Sequence, residues 1–181
     1  MKHIARAALV GALVLVGSAH ASDGTINITG KVVGNTCTIT TNSTGGSVNV
    51  PLPTVATGNL ASADKVTGTT PFSIGLECND GATTPAAVTG PVKAYFEVGP
   101  NVDVATGRLK LTGATGVATN LQLELLNEDA TSIKIGDPST IKGTTFASGK
   151  ATLNYKVQYH ATGAVAAGSA NSSVTYSLDY Q

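Results

Sequence analysis

Apolar and polar residues alternate with a period of two in five stretches of the chain, which predicts five strands that each have one buried face. The inward-facing sets run over 72–78, 92–98, 121–125, 153–159 and 174–180. Turn-prone clusters such as Gly99-Pro100-Asn101 and residues 163–168 separate the strands. Residues 51–70 lack clean alternation and fit a loop with a short helical turn, whose pairing we leave unassigned. The pattern predicts one all-β domain of the sandwich type.

The first residues have the pattern of an export signal. Lys2 and Arg6 precede an apolar run over 7–16, and small residues ending in Ala19-His20-Ala21 follow it. This predicts a secretory signal peptide over residues 1–21 and a mature chain that begins near Ser22. The apolar run falls well short of the roughly 20 residues that span a bilayer. We therefore expect export through the periplasm.

The composition excludes some partner classes. Without Lys2 and Arg6, the 11 basic residues become 9 against 11 acidic ones, so the mature net charge is about −2. Charged residues make up 12% of the chain, about half the usual share. We therefore expect no nucleic-acid partner, since such partners require a basic surface.

Two cysteines, Cys37 and Cys78, belong to a chain that is addressed to an oxidising compartment. Paired thiols become disulfides there, so one bridge is the default expectation. Closing a loop of 42 residues would stabilise the fold by about 4 kcal/mol through the entropy of the unfolded chain. A metal site is not predicted, because the pair lacks companion ligands.

The segment Ser22–Val33, SDGTINITGKVV, is a strand at the mature N-terminus. One face carries glycines and aliphatic residues, and the other is mostly polar; the first face consists of Gly24, Ile26, Ile28, Gly30 and Val32. This arm has no preceding element to pair with. It either folds back as an edge strand of its own sheet or fills the groove of another molecule.

Three stretches of the chain resemble the major subunits of type 1 fimbriae, which the chaperone–usher pathway assembles. The first is GTINITGKVVGNTC over Gly24–Cys37, and the second is FSIGLECND over Phe72–Asp80. The third is YKVQYHATGAVAAGSANSSVTYSLDYQ over Tyr155–Gln181. In it Gly168 lies fourteenth from the end and Tyr180 is penultimate. The resemblance spans nearly the whole mature chain.

This resemblance implies an incomplete immunoglobulin-like β-sandwich with an N-terminal donor-strand extension and one disulfide. The donor arm would be residues 22–33, and the pilin domain residues 34–181. A groove beside the last strand would take the arm of another copy. The resemblance places five residues at this groove, where the periplasmic chaperone first pairs: Gly168, Val174, Tyr176, Leu178 and Tyr180.

The expected partners are identical or related pilin subunits, a periplasmic chaperone and an outer-membrane usher. The leading hypothesis is a structural subunit of a cell-surface fimbrial shaft that supports cell adhesion. Two alternatives stay open: a minor adaptor, tip or anchor subunit, and a self-contained secreted carbohydrate-binding β-sandwich. The chain has no Trp and an aromatic content of 4%, which disfavours sugar stacking.

Candidate catalytic residues are few. The mature chain has a single histidine, His160, which we interpret as a surface or loop residue. Glu124, Glu128 and Asp129 fit an exposed acidic loop better than paired catalytic carboxylates. Gly143–Lys150, GTTFASGK, has one residue too many between its glycines for a phosphate loop. We predict no enzyme, no cofactor, no metal and no small-molecule substrate.

Overall fold

The structure, a computed structural model, describes residues 36–41, 46–79 and 89–180. The predicted signal peptide over 1–21 lies outside these residues. So does the predicted donor arm over 22–33, with Gly24, Ile26, Ile28, Gly30 and Val32. Both assignments therefore stay predictions.

The described residues form nine β-strands and two short 3-10 turns. The strands are β1 Thr36–Ile39, β2 Val66–Asn79, β3 Pro91–Phe96, β4 Val102–Asp103, β5 Arg108–Lys110, β6 Thr119–Asn127, β7 Thr144–Thr145, β8 Lys150–Ala166 and β9 Tyr176–Tyr180. The 3-10 turns are Thr57–Leu60 and Pro138–Thr140. Within these described ranges, no helix is long and apolar enough to cross a membrane.

The strands form two sheets. One has the order β1-β2-β8-β6-β5-β4, and the other has the order β7-β3-β9. Every pairing between named strands is antiparallel. This arrangement confirms the all-β prediction and gives an immunoglobulin-like β-sandwich.

Much of the core is built from the inward positions that the alternation predicted. Tyr155 of β8 lies at its centre, with its ring edge-on to Phe96 of the second sheet at 5.3 Å. Its hydroxyl accepts a hydrogen bond from the Ala94 N–H at 3.1 Å and donates one to the Lys142 carbonyl at 3.0 Å. Burial raises the pKa of this hydroxyl. Tyr155 thus fastens the two sheets together.

The disulfide prediction is confirmed. Cys37 of β1 lies opposite Cys78 of β2 in the antiparallel register, and the two are bonded. Cys78 is fully buried. The bridge ties the four-residue edge strand β1 to the long strand β2.

Two features differ from the sequence predictions, and the structure also defines the region that was left unassigned. Val98 is 56% exposed, because β3 ends at Phe96. The predicted turn cluster over 163–168 begins inside a strand, since β8 continues along β6 as far as Ala166. In the unassigned region, the short helical turn exists at Thr57–Leu60, and β2 already begins at Val66.

Candidate functional site

Strand β9 lies at an edge of the three-stranded sheet. Five of its residues pair with β3, from Tyr176 opposite Phe96 to Tyr180 opposite Val92. Along its other side, no strand pairs with it in the part of the chain that the structure describes. An edge of this kind presents backbone donors and acceptors to a further strand.

The inward side chains next to this edge are incompletely covered. Val174, Tyr176 and Leu178 pack against the core but stay half-exposed. On the adjacent β3, the inward residues Val92 and Phe96 are 1% and 2% exposed. Both strands face the same core, so the greater exposure of the β9 side chains arises at the uncovered side of β9. We call the edge of β9 the first bank, and the space beside it the cleft.

A second segment, residues 46–53, contacts β9 at its Gly46 end, and we call it the second bank. It is extended but belongs to no β-ladder. Val48, Val50 and Leu52 alternate along it and are half-buried against the core. A recess of about 180 Å³ lies between this bank and Pro71–Ser73 of β2.

Two tyrosine hydroxyls hold the second bank near its ends. Tyr176 of β9 donates a hydrogen bond to the Gly46 carbonyl at 2.7 Å. Tyr159 of β8 donates one to the Pro53 carbonyl at 3.1 Å. Burial raises the pKa of both hydroxyls, and a tyrosine hydroxyl is protonated at neutral pH even at its ordinary pKa of 10.0. The bond from Tyr176 spans the space between the two banks.

The far end of β9 is fixed by its side chains. The Tyr180 ring stacks on Phe146, with 6.2 Å between ring centroids and an interplanar angle of 6°. The Lys93 ammonium lies 3.8 Å from the Asp179 carboxylate across the β3–β9 pair. Tyr180 itself is 39% exposed. These contacts set the position of the strand that forms the first bank.

Four of the five residues that we predicted at the groove, Val174, Tyr176, Leu178 and Tyr180, lie on or next to β9. Gly168 lies in the connection that precedes it. A Cβ atom at position 168 would meet the backbone of Gly116–Ala118, and the Ala118 N–H donates to the Ser169 carbonyl at 2.9 Å. These contacts give Gly168 a packing role, and its role in chaperone binding stays a prediction.

Sequence reasoning missed the second bank. The alternation of Val48, Val50 and Leu52 in SVNVPL was the available signal. The signal was weak because the run is short and ends in prolines. The two tyrosine contacts had no sequence signal, since their partners are 130 and 106 residues away.

Two predictions about polar residues were wrong. His160 and Glu124 are both 6% exposed and lie on neighbouring strands, with His160 Nδ1 3.2 Å from Glu124 Oε2. Glu124 is covered by a fold-back after β6, in which the Ile133 N–H donates to the Leu125 carbonyl. This brings Ser132 over the outer face of the sheet, where it contacts Glu124. Glu128 and Asp129 are exposed, as predicted.

Glu124 is the acceptor at the centre of this buried cluster. Gln158 Nε2 and Ser132 Oγ each donate to its carboxylate at 2.8 Å, and Arg108 Nε lies 3.6 Å away. Burial raises the pKa of Glu124, but hydrogen bonds from Gln158, Ser132 and His160 outweigh it and lower the pKa overall. Within the described ranges, no group of three potential ligands is arranged to hold a metal ion.

Comparison with known proteins identifies the family. The family model for fimbrial protein matches residues 26–181. The F17 fimbrial protein of Escherichia coli is 44% identical over 167 residues, which cover 89% of each chain. The major fimbrial subunit SMF-1 of Stenotrophomonas maltophilia is 40% identical over 171 residues, covering 90% of this chain and 95% of the relative.

A solved structure agrees with these matches. The crystal structure of an antigen and type I fimbria protein from Burkholderia pseudomallei superposes with a TM-score of 0.53 at 30% identity. The match covers 80% of this chain and 88% of that one. The immunoglobulin-like sandwich with an uncovered edge thus has the fold of a fimbrial subunit, and the chain belongs to the fimbrial protein family.

Proposed function

We propose that the mature chain is a shaft subunit that polymerises by donor-strand exchange into a cell-surface fimbrium. Residues 22–33 of one copy would fill the cleft between β9 and residues 46–53 of the next copy. The observation that carries this proposal is the uncovered edge of β9, where inward side chains are half-exposed beside a fully covered neighbour. The relative from Stenotrophomonas maltophilia is named a major subunit, whereas a relative from Haemophilus influenzae at 31% identity is named a minor subunit; the shaft is the position that we propose.

The arm has the chemistry that the cleft requires. Its apolar face would bury Ile26, Ile28 and Val32 over the half-exposed Val174 and Leu178. At about 1.5–3 kcal/mol for each fully buried side chain, the three contribute roughly 5–9 kcal/mol before the cost of ordering the arm. Backbone hydrogen bonds to the edge of β9 would add register and specificity.

The same cleft makes a free subunit prone to aggregation, because it exposes apolar side chains beside an unpaired strand edge. We therefore expect a periplasmic chaperone to cover β9 until assembly, and an outer-membrane usher to exchange it for the next arm. Transit through the periplasm to the cell surface follows from this order of events. We assign the chain no enzymatic activity.

The test compares the mature chain with a chain that lacks residues 22–33. We expect the mature chain to form polymers that resist mild denaturant, and the truncated chain to stay monomeric. A synthetic peptide of residues 22–33 should bind the truncated chain, while a scrambled peptide should not. Stable monomers from both chains would favour the self-contained sandwich and contradict the proposal.

Self-assembly of the purified chain distinguishes a shaft subunit from a minor subunit. A shaft subunit must accept its own arm, so a single purified chain forms long polymers. A tip, adaptor or anchor subunit would stop at short oligomers and need another subunit to extend. Electron microscopy of the purified mature chain distinguishes the two lengths.

A further inference from the structure

We propose that Tyr176 and Tyr159 are positioning residues for strand insertion, and that they hold the second bank ready for an incoming strand. The proposal rests on the donor-strand exchange proposed above. It assigns a role to two hydroxyl groups rather than to the apolar floor of the cleft.

The second bank lacks the usual support of a strand. In the part of the chain that the structure describes, residues 46–55 make no backbone–backbone hydrogen bond. Two hydroxyl-to-carbonyl bonds instead hold the segment at Gly46 and at Pro53. Because side chains make these bonds, the bonds use none of the backbone groups between the two points.

The contact at Gly46 also joins the two banks. Two banks that accept one strand between them must lie two strand spacings apart, about 9.5 Å. A backbone ladder cannot cross such a gap, but a long side chain that ends in a donor can. Tyr176 is such a side chain, and it extends from the first bank to the second.

The acceptor at this contact is fixed by local geometry. Gly46 has a φ of +83°, in the left-handed region that favours glycine. A Cβ at this position would lie 2.9 Å from Ile39 Cδ1. Gly46 therefore has a backbone conformation that other residues adopt only with strain.

Loss of the hydroxyls would leave Val48, Val50 and Leu52 as the main restraint on the second bank. These side chains are only half-buried, so the segment would spend less time in the conformation that accepts a strand. A protein whose binding-competent conformation is populated a smaller fraction of the time binds correspondingly more weakly and more slowly. We therefore expect slower assembly, with the core unchanged.

The test uses the full mature chain and the rate at which denaturant-resistant polymers form. Y176F removes the hydroxyl and keeps the ring. Y95F is the matched control, because Tyr95 of β3 also donates to a glycine carbonyl, that of Gly136 at 3.5 Å, but from the opposite face of its strand. We expect Y176F to polymerise about fivefold more slowly than wild type, as for one lost hydrogen bond. Y95F should match wild type.

A second measurement separates positioning from general destabilisation. Amide hydrogen exchange over residues 47–52 should be faster in monomeric Y176F and Y159F than in Y95F, while exchange in β8 and β3 stays unchanged. Equal polymerisation rates for Y176F and Y95F would overturn the proposal, and so would faster assembly of Y176F. If the wild-type chain forms no polymers, donor-strand exchange itself fails, and this inference fails with it.

Discussion

Replacement of Glu124 tests how much the buried polar cluster stabilises the sandwich. Glu124→Ala removes the shared acceptor of Gln158, Ser132 and His160 and the counter-charge of Arg108. Removing one partner of a buried, hydrogen-bonded ion pair costs about 3–5 kcal/mol, because the groups left behind stay desolvated. We take the low end, about 3 kcal/mol, since Arg108 still reaches solvent.

Glu128→Ala is the matched control, four residues further along the same segment. Glu128 is exposed and accepts one hydrogen bond, from Asn154 at 3.1 Å. Exposed substitutions of this kind usually change the free energy of unfolding by less than about 0.5 kcal/mol. Urea titration of the monomeric domain should show a lower midpoint for Glu124→Ala at an unchanged slope. The melting temperature should fall by roughly 10 °C.

The difference in the free energy of unfolding between wild type and Glu124→Ala should depend on pH. The pKa of Glu124 is lowered in the folded chain, so its contribution is complete above the unfolded value and is lost as pH falls through the lowered pKa. The advantage of wild type over Glu124→Ala should therefore be full at pH 7 and shrink below the ordinary pKa of 4.5. Equal losses in Glu124→Ala and Glu128→Ala, or a constant difference down to acidic pH, would refute this reasoning.

Three further predictions concern the bridge, the arm and a tight packing position. Replacing Cys37 and Cys78 by Ala should lower the free energy of unfolding by about 4 kcal/mol, measured by urea titration against the wild-type chain under non-reducing conditions. Gly30→Leu should block polymerisation if the arm approaches the groove floor closely there, and unchanged fibre yield would contradict that close approach. Gly168→Ala should cost about 1–3 kcal/mol through its clash with the Gly116–Ala118 backbone. Gly58→Ala, which has open space around it, should melt like wild type.

The strands and the bridge could be predicted from the sequence. Period-two alternation is a local property of a strand with one buried face, so Ile74, Leu76 and Leu153 could be placed in the core without coordinates. The disulfide also followed from the sequence, because two cysteines in an exported chain allow one pairing. The resemblance over the last 27 residues then pointed to β9 as the bank of a groove.

The second bank and the polar cluster depended on tertiary structure. Alternation assigns Glu124 to the outer face of β6 but cannot show that residues 129–135 fold back and bury it. In the same way, Tyr176 and Gly46 are 130 residues apart in sequence and meet only when the chain folds. The local alternation of apolar and polar residues shows which face of a strand is apolar. Which remote segment covers that face, or leaves it open, is decided when the sheets pack.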